Sequence, residues 1–401
     1  MKKIKFLHMA DFHYGARVAS EPLGLNSEKL SQRKKEERDV LQKIIETAIA
    51  EKVNLILLPG DVYDFTASSQ SAINDFFDRL RMLDEIPVFI SPGNHDFYAP
   101  HSFYNPEFLL ARNQNPIPEN VYVFRDSSFH TIIPEKLPSI TISGFAYAGF
   151  TNINERPLDA PIDRDKSKIN ILLLHGWFDQ IKVDKGLQTS PFSIKELEMQ
   201  DFDYAALGHI HSYMEIRSST GRLVGAYPGA PFGRGLDELD ERYIIVGEVA
   251  KGGAEIQRIK IDRRAIRKLD VELKGVGSAA ALEEVIKTAL RNSGFSFDDI
   301  VKLNISGRIK PGLEPELPDD FLQDEFFSID YNFCNFVPDY DIEALLDESN
   351  VFPITEKKFA QHLMRRLKEE SNEERKKILK KALYYGLDAL RLKEVKPHNE
   401  D

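Results

Sequence analysis

One cysteine, Cys334, stands among 401 residues. That scarcity excludes an intramolecular disulfide and any all-cysteine zinc site, and it suits a reducing cytosol. Long apolar runs are missing as well; no stretch approaches the ~20 residues that a membrane span needs. The opening Met1-Lys2-Lys3-Ile4-Lys5-Phe6-Leu7 is positively charged, but its apolar run is too short for a secretory signal and Asp11 soon interrupts it. A cytoplasmic chain with no membrane anchor is the expectation. Excess positive charge is lacking too: the net charge is −11, which is not the profile of a stand-alone nucleic-acid binder. An acidic chain can still process phosphate esters if divalent metals offset its carboxylates locally, or if a partner supplies the basic surface.

What is present is enough apolar material, 42% of residues, for a sizeable core, and length for about two to three domains of ~150 residues. The first half alternates strands and helices. Residues 4–10 form a short apolar run ending at Asp11. Residues 33–51 have helical periodicity through Val40, Ile44, Ile45 and Ala48. Residues 53–58 read as a buried strand closed by Pro59-Gly60-Asp61. A helix follows through Ile73, Phe76, Phe77 and Leu80, then a strand over 87–91 closed by Pro92-Gly93-Asn94. This βαβαβ order implies parallel strands with right-handed crossovers. Further strands fall at 170–174 before His175 and at 204–207 before Gly208-His209, and a hairpin is expected over 243–249 and 254–261 around Lys251-Gly252-Gly253. Beyond Arg264 a strand at 271–274, a helix at 280–292 and a strand at 301–306 suggest a small α+β unit. Pro311, Pro315 and Pro318 mark a loop. Two charged helices follow from Thr355, the second with Ser371 and Glu374 at capping-box spacing.

Five segments carry the chemistry: Asp11-Phe12-His13, Gly60-Asp61-Val62-Tyr63-Asp64, Gly93-Asn94-His95-Asp96, His175-Gly176 and Gly208-His209-Ile210-His211. Each ends a candidate strand, where α/β sheets place their ligands. Carboxylate and amide oxygens mixed with imidazole nitrogens suit Mn²⁺, Fe²⁺ or Zn²⁺, whereas magnesium favours oxygen alone. Residues two apart in extended chain point the same way, so Asp-x-His and His-x-His can each aim two ligands at one cluster. Two metals about 3.5–4 Å apart can share a carboxylate, activate a water and hold phosphate oxygens during in-line displacement. A protonated imidazole nearby can donate to the leaving oxygen.

In order and spacing these segments resemble the calcineurin-like metallophosphoesterase superfamily. Within it the chain is similar to the SbcD/YhaO-type DNA repair exonucleases, bacterial relatives of the meiotic-recombination-eleven nuclease. The residues that carry this are His8 before Met9-Ala10-Asp11-Phe12-His13-Tyr14-Gly15, the Gly60–Asp64 segment, and Tyr227-Pro228-Gly229-Ala230 after the His-x-His pair. The likeness covers residues 1–262, and the remainder only in layout. It implies a four-layer αββα metallophosphoesterase sandwich over 1–262, a small α+β capping domain over 268–345 and a helical tail over 355–395.

Carried over residue by residue, the resemblance implies one metal held by Asp11, His13, Asp61 and His211, and another by Asp61, Asn94, His175 and His209, with Asp61 bridging. His95 matches the family's non-ligand histidine facing the scissile phosphate, and Asp96 would orient it. Two divalent ions, Mn²⁺ foremost, and DNA as substrate are implied. So are an SMC-like (SbcC-type) ATPase partner held by the C-terminal helices and room for a homodimer. Tyr14, where the family often has leucine, and Gly233-Arg234-Gly235, in place of a serine-rich run, depart from the pattern. The same site chemistry also serves small-molecule phosphodiesterases and nucleotide phosphatases, and a scaffold subunit with a vestigial site is a third reading, against which the complete ligand set argues.

Other features read more plainly. His8, inside an apolar strand, is expected to be a packed histidine, and Asp64 serves equally as a turn cap or a site residue. The aromatics Phe326, Phe327, Tyr331, Phe333, Phe336 and Tyr340 fit core packing better than base stacking. His101, His130, His362 and His398 lie outside any motif. Phe359, Leu363 and Leu367, with Leu379, Leu383, Leu387 and Leu390, form apolar faces opposite Arg365, Arg366, Lys368, Arg375, Lys376, Lys377, Lys380 and Lys381. Docking on the chain itself and docking on a partner are equally compatible with them.

Overall fold

Short, doubly apolar runs such as Leu55–Leu58 are too brief to close a helix and have no polar face, so they become strands covered on both sides. The computed structural model describes residues 3–16, 19, 21–149, 155–182, 188–310, 313–318, 321–322 and 325–391. Pro311, the last residues of the 355–395 tail and His398 lie outside them. The chain divides into two units, Met1–Ile266 and Arg267–Asp401.

In chain order the first unit holds β1 (Ile4–His8), α1 (Ser27–Ala50), β2 (Leu55–Leu58), α2 (Gln70–Arg81), β3 (Val88–Ile90), α3 (Pro106–Ala111), β4 (Val121–Val123), β5 (His130–Ile132) and β6 (Ile140–Gly144). It continues through β7 (Ile169–His175), α4 (Ile194–Gln200), β8 (Tyr204–Gly208), β9 (Met214–Arg217), β10 (Leu223–Tyr227), β11 (Tyr243–Ala250) and β12 (Gly253–Lys260). These strands form two six-stranded sheets, ordered β12-β11-β1-β2-β3-β4 and β5-β6-β7-β8-β10-β9. β1, β2, β3 and β4 run parallel, as the βαβαβ pattern requires, and so do β6, β7, β8 and β10. The hairpin of β11 and β12 closes the first sheet antiparallel to β1.

Alternation along β2 sorts its residues between layers. Leu55 and Leu57 join Phe6, Phe89, Ile171 and Leu173 between the sheets, while Ile56 and Leu58 face Leu41, Ile44, Ile45, Phe76 and Leu80 of α1 and α2. A third core, with Leu172, Leu174, Leu197 and Tyr227, covers the outer face of the second sheet. The architecture is therefore the αββα sandwich. α1 begins at Ser27, earlier than its apolar periodicity suggests, because the Asn26 side chain accepts from the Lys29 N–H and caps a polar first turn. His8 is a packed histidine: its ring nitrogens meet the Tyr204 hydroxyl at 3.0 Å and the Leu207 carbonyl at 3.2 Å.

The second unit holds β13 (Ile266–Val276), α5 (Ala279–Asn292), β14 (Ile300–Ile309), β15 (Ser328–Pro338), α6 (Ile342–Leu346), α7 (Ile354–Glu369) and α8 (Glu373–Arg391). Its sheet runs β13-β14-β15, with β14 and β15 parallel, so the aromatic-rich stretch is a strand. Phe326 is buried, with Phe333 and Phe336 packed partly against the same core; Phe327 and Tyr340 are buried too, and Tyr331 is the exposed member. A separate core joins Tyr340, Leu345, Ala360, Leu363, Leu383 and Leu387. The leucine faces of α7 and α8 are thus largely spent on their own unit. At Gly386 an added Cβ would run into the Phe359 ring, so the two helices approach closely there. α8 is capped by Asn372, whose side chain accepts from the Arg375 N–H, and not by the Ser371–Glu374 pair. Among the described residues no helix is long and apolar enough to cross a membrane.

Leu387→Ala removes a fully buried side chain from this helical core and is expected to cost about 2–5 kcal/mol. A lower urea midpoint and faster amide exchange across α7 and α8 are the readouts. Exchange as slow as wild type would show that these helices do not rest on that core.

Candidate metal centre

Turns after β1, β2, β3, β7 and β8 bring every sequence-chosen residue to the carboxyl ends of the two sheets. The way they do so differs from strand alternation. β1 ends at His8 and β8 at Gly208, and Asp11, His13, Asp61 and His209 have φ of 56°, 47°, 51° and 105°. Such backbone costs about 1–3 kcal/mol per non-glycine residue and persists only when its surroundings hold it. Here they do: the N–H groups of Asp11, His13 and Tyr14 donate to the carbonyls of Gly60, Asp61 and Val62 at 3.2, 2.9 and 2.8 Å. Asp11 and His13 therefore converge by a curled segment laid along the turn after β2.

The glycines before Asp61, Asn94 and His209 are required by proximity. A Cβ on Gly60 would come within 2.6 Å of His175 Nδ1, and one on Gly208 would strike the Pro59 carbonyl oxygen. Two turns from different sheets can approach this closely only with hydrogen in those places.

At the centre lies Asp61. Its Oδ1 accepts from the His95 N–H at 2.9 Å, and its Oδ2 lies 3.3 Å from His175 Nε2 and 3.6 Å from His13 Nε2. His175 Nδ1 meets the Pro59 carbonyl at 3.0 Å, which fixes that nitrogen as the N–H and turns Nε2 toward Asp61 and toward Asn94 Oδ1 at 2.9 Å. Nε2, Asp61 Oδ2 and Asn94 Oδ1 thus share one small space, held together by a proton in the metal-free chain and open to a cation in its place. Burial opposes the charged ring, yet Asp61 and Asp11 beside it raise His175 to about 9. Burial, with Arg234 acting the same way, pushes His13 well below the usual imidazole value, toward the neutral ring that a metal binds.

Orphaned atoms point the same way. Among the described residues, Asp11 Oδ2 and both ring nitrogens of His13 are buried without a hydrogen-bond partner. Buried polar atoms are rarely left so, and metal ligation is a standard reason. Asp11, Asp61 and His175 bring ligand atoms within 4.8 Å of one another, and so do His13, Asp64 and His95. In the second group Asp64 and His95 are already committed to each other. The rings of His209 and His211 stand 5.2 Å from His175 and 5.4 Å from His13, and the His209 N–H donates to Asp11 Oδ1 at 2.8 Å. The residues present fit a pair of divalent cations.

Asp96 takes a different place from the one the sequence suggests, and His95 a different partner. His95 is half exposed, and its Nδ1 pairs with Asp64 Oδ2 at 2.8 Å. That hydrogen bond holds the imidazole above its ordinary pKa. Asp64 also accepts at Oδ1 from the Thr66 and Ala67 N–H groups, so it is turn cap and site residue together. Asp96 does not orient His95. It is buried, and accepts from the N–H groups of Asp61, Val62 and Gly93 and from the Tyr104 hydroxyl, at 3.0, 2.9, 2.6 and 2.6 Å. Neighbours in a tight turn project apart, so the adjacent carboxylate faces inward while one 31 residues away reaches the ring.

Three supports were not anticipated. Glu238 Oε1 meets His211 Nδ1 at 2.9 Å, Thr189 Oγ1 lies 3.2 Å from His209 Nε2, and the Tyr147 hydroxyl donates to the His175 carbonyl at 2.9 Å. The only cue to Glu238 was its nearness to the unusual Gly233-Arg234-Gly235. Tyr14, the other departure, is buried and donates to Asp75 on α2 at 2.5 Å.

Residues 4–213 match the calcineurin-like phosphoesterase family, just over half of the 401 residues, and the chain belongs to that family. It is similar to the DNA double-strand break repair protein Mre11 of Saccharolobus solfataricus, 28% identical over 239 residues, 57% of this chain and 54% of that one. It is also similar to the uncharacterized metallophosphoesterase YhaO of Bacillus subtilis, 27% identical over 268 residues, 62% and 58% of the two chains. One component of the nuclease SbcCD of Staphylococcus epidermidis is 26% identical over 237 residues, 54% and 59%. The chain thus spans a little over half the length of these curated relatives, and the relation read from its motifs holds at modest identity.

Because Asp96 gathers four donors, Asp96→Ala strands buried N–H groups at about 1–3 kcal/mol each. A fall in the urea midpoint of the metal-free protein is expected. Unchanged stability with activity lost would return Asp96 to the role of orienting His95.

Proposed function

We propose that this chain is a two-metal phosphodiesterase that cuts DNA, as an exonuclease, with Mn²⁺ as its metal. The observation that carries the reading is the convergence of seven ligand-type side chains, with buried polar atoms on Asp11 and His13 left without hydrogen bonds, at one edge of both sheets. In this proposal Asp11, His13, Asp61 and His211 hold one ion, and Asp61, Asn94, His175 and His209 the other. Bound there, the ions would supply positive charge to the phosphoryl oxygens and make water a better nucleophile. Asp61 is suited to bridge because its Oδ2 faces His13 and His175 together.

The chain's own part is positioning and proton transfer. Pro59 fixes His175 and Glu238 fixes His211, each through Nδ1, leaving Nε2 of both rings for ligation. His95, half exposed and held by Asp64, keeps Nε2 free to donate to the leaving oxygen. DNA is favoured over a small ester by the similarity to a break-repair protein and to a nuclease component. The second name also denotes one part of an assembly, which supports a partner, and the resemblance read from the motifs makes that partner an SMC-like ATPase. With Leu363, Leu383 and Leu387 buried, such a partner would meet other residues of α7 and α8, where Ile354 and Ile378 are exposed. A small-molecule phosphodiesterase remains the second reading.

Mn²⁺-loaded protein should degrade end-labelled DNA as well as bis-p-nitrophenyl phosphate. Cleavage of the ester alone, under every metal and with the partner present, would promote the second reading. Asp61→Ala should lose both metals by elemental analysis and His211→Ala mainly one; full occupancy in Asp61→Ala would sink the assignment. His95→Ala should keep two metals and DNA binding while turnover falls ~10²-fold or more, and less for an ester with an activated leaving group. Full DNA cleavage by that variant would remove His95 from the chemistry.

A further inference from the structure

The candidate ligands are backed unequally. His175 leans on a neutral carbonyl, from Pro59, and His209 lies beside the hydroxyl of Thr189. His211 is backed by a carboxylate at hydrogen-bond distance, whereas the Asp11 carboxylate stands 3.8 Å from His175 Nδ1. Glu238 is 7% exposed, and its Oε1 is shared between His211 Nδ1 at 2.9 Å and the Arg234 guanidinium at 2.8 Å. Its Oε2 accepts from the Arg234 backbone N–H at 2.6 Å. The carboxylate thus takes the Arg234 guanidinium, the Arg234 N–H and the His211 imidazole together, the setting of an ionised acid.

The loop that presents this pair is fixed from several sides. The Gly233 N–H donates to Asp262 and the Gly233 carbonyl accepts from Arg33, at 3.1 and 2.8 Å. Leu236 N–H donates to the Glu21 carbonyl at 2.7 Å, and a Cβ on Gly235 would come within 2.8 Å of that same carbonyl. Arg242 donates to the His211 carbonyl at 2.7 Å. The carboxylate is therefore held in place, and the Arg234 side chain, 11% exposed, is held with it.

We infer that Glu238 and Arg234 are an opposed pair of positioning residues that set how tightly His211 holds its cation. This rests on the metal-centre reading above. Glu238 fixes the ring with Nδ1–H inward and Nε2 outward, and its negative charge makes that Nε2 a stronger donor to a cation. Arg234 places a positive charge on the other side of the same carboxylate oxygen and takes part of that gain back. The ion shared by His13 and His211 is thereby kept in a middle range of affinity. The contacts described for the pair run to His211, so the effect should fall on that ion first.

The two substitutions have opposite signs, which a structural role does not produce. Glu238→Gln keeps the shape, removes the charge and should weaken one of the two Mn²⁺ sites about 10–100-fold. Arg234→Met removes the opposing charge at similar volume and should tighten that same site, by about 10-fold, on the scale of one charge at partly buried contact distance. Calorimetric Mn²⁺ titration of metal-free wild type and both variants reads this directly, with melting of the metal-free forms as the control for folding. If Glu238→Gln does not fold, the tightening in Arg234→Met still decides. Two variants that weaken both sites alike, or leave them unchanged, would overturn the inference while the metal centre stands. A wild-type chain that takes up no Mn²⁺ would overturn the inference and the reading beneath it together.

Discussion

The Asp96 carboxylate, buried and filled by four donors, is the interaction on which the site depends. It ties the turn after β2 to the turn after β3, and so sets Asp61 against Asn94 and His95. Asp61 in turn accepts from the His95 N–H, which makes the connection reciprocal. Neither turn has regular secondary structure to hold it, and each would otherwise leave buried N–H groups unpaired. One inward carboxylate satisfies both and leaves the outward groups free for chemistry.

Around that anchor the backbone is held in conformations it would not choose. Four site residues, Asp11, His13, Asp61 and His209, lie at positive φ. Hydrogen bonds from the Asp11–Tyr14 segment to the turn after β2 keep the first three there, and the His209 N–H is tied to Asp11 Oδ1. The glycines at 60, 93 and 208 allow the turns to touch. Strain is concentrated where ligand atoms must converge, while strands behind it such as Leu55–Leu58 are regular and buried on both faces.

Much of this was legible in the sequence because two signals coincide: apolar runs of strand length, and polar turns rich in Asp, Asn and His at their ends. Together they gave the parallel order of β1, β2 and β3 and the positions of the candidate ligands. What stayed hidden was direction. Strand alternation was a wrong account of Asp11 and His13, since nothing local announces a left-handed residue that is not glycine. The family resemblance made Asp96 the partner of His95, whereas Asp64 reaches the ring from another turn. Glu238 comes 27 residues after His211, with no spacing to betray it. The start of α1 was missed because its first turn is polar and only its cap, Asn26, marks it. The tail helices gave their faces correctly but not what those faces meet, which depended on Tyr340 and Leu345 far upstream in the chain.

One feature of the sandwich bears on how the protein matures. Asp11, His13, Asp61 and Asn94 follow strands of the first sheet, and His175, His209 and His211 follow strands of the second. Neither sheet holds a working set by itself. The centre is therefore complete only when Leu55, Leu57 and Phe89 have closed over Ile171 and Leu173. A half-made nascent chain holds only part of the ligand set.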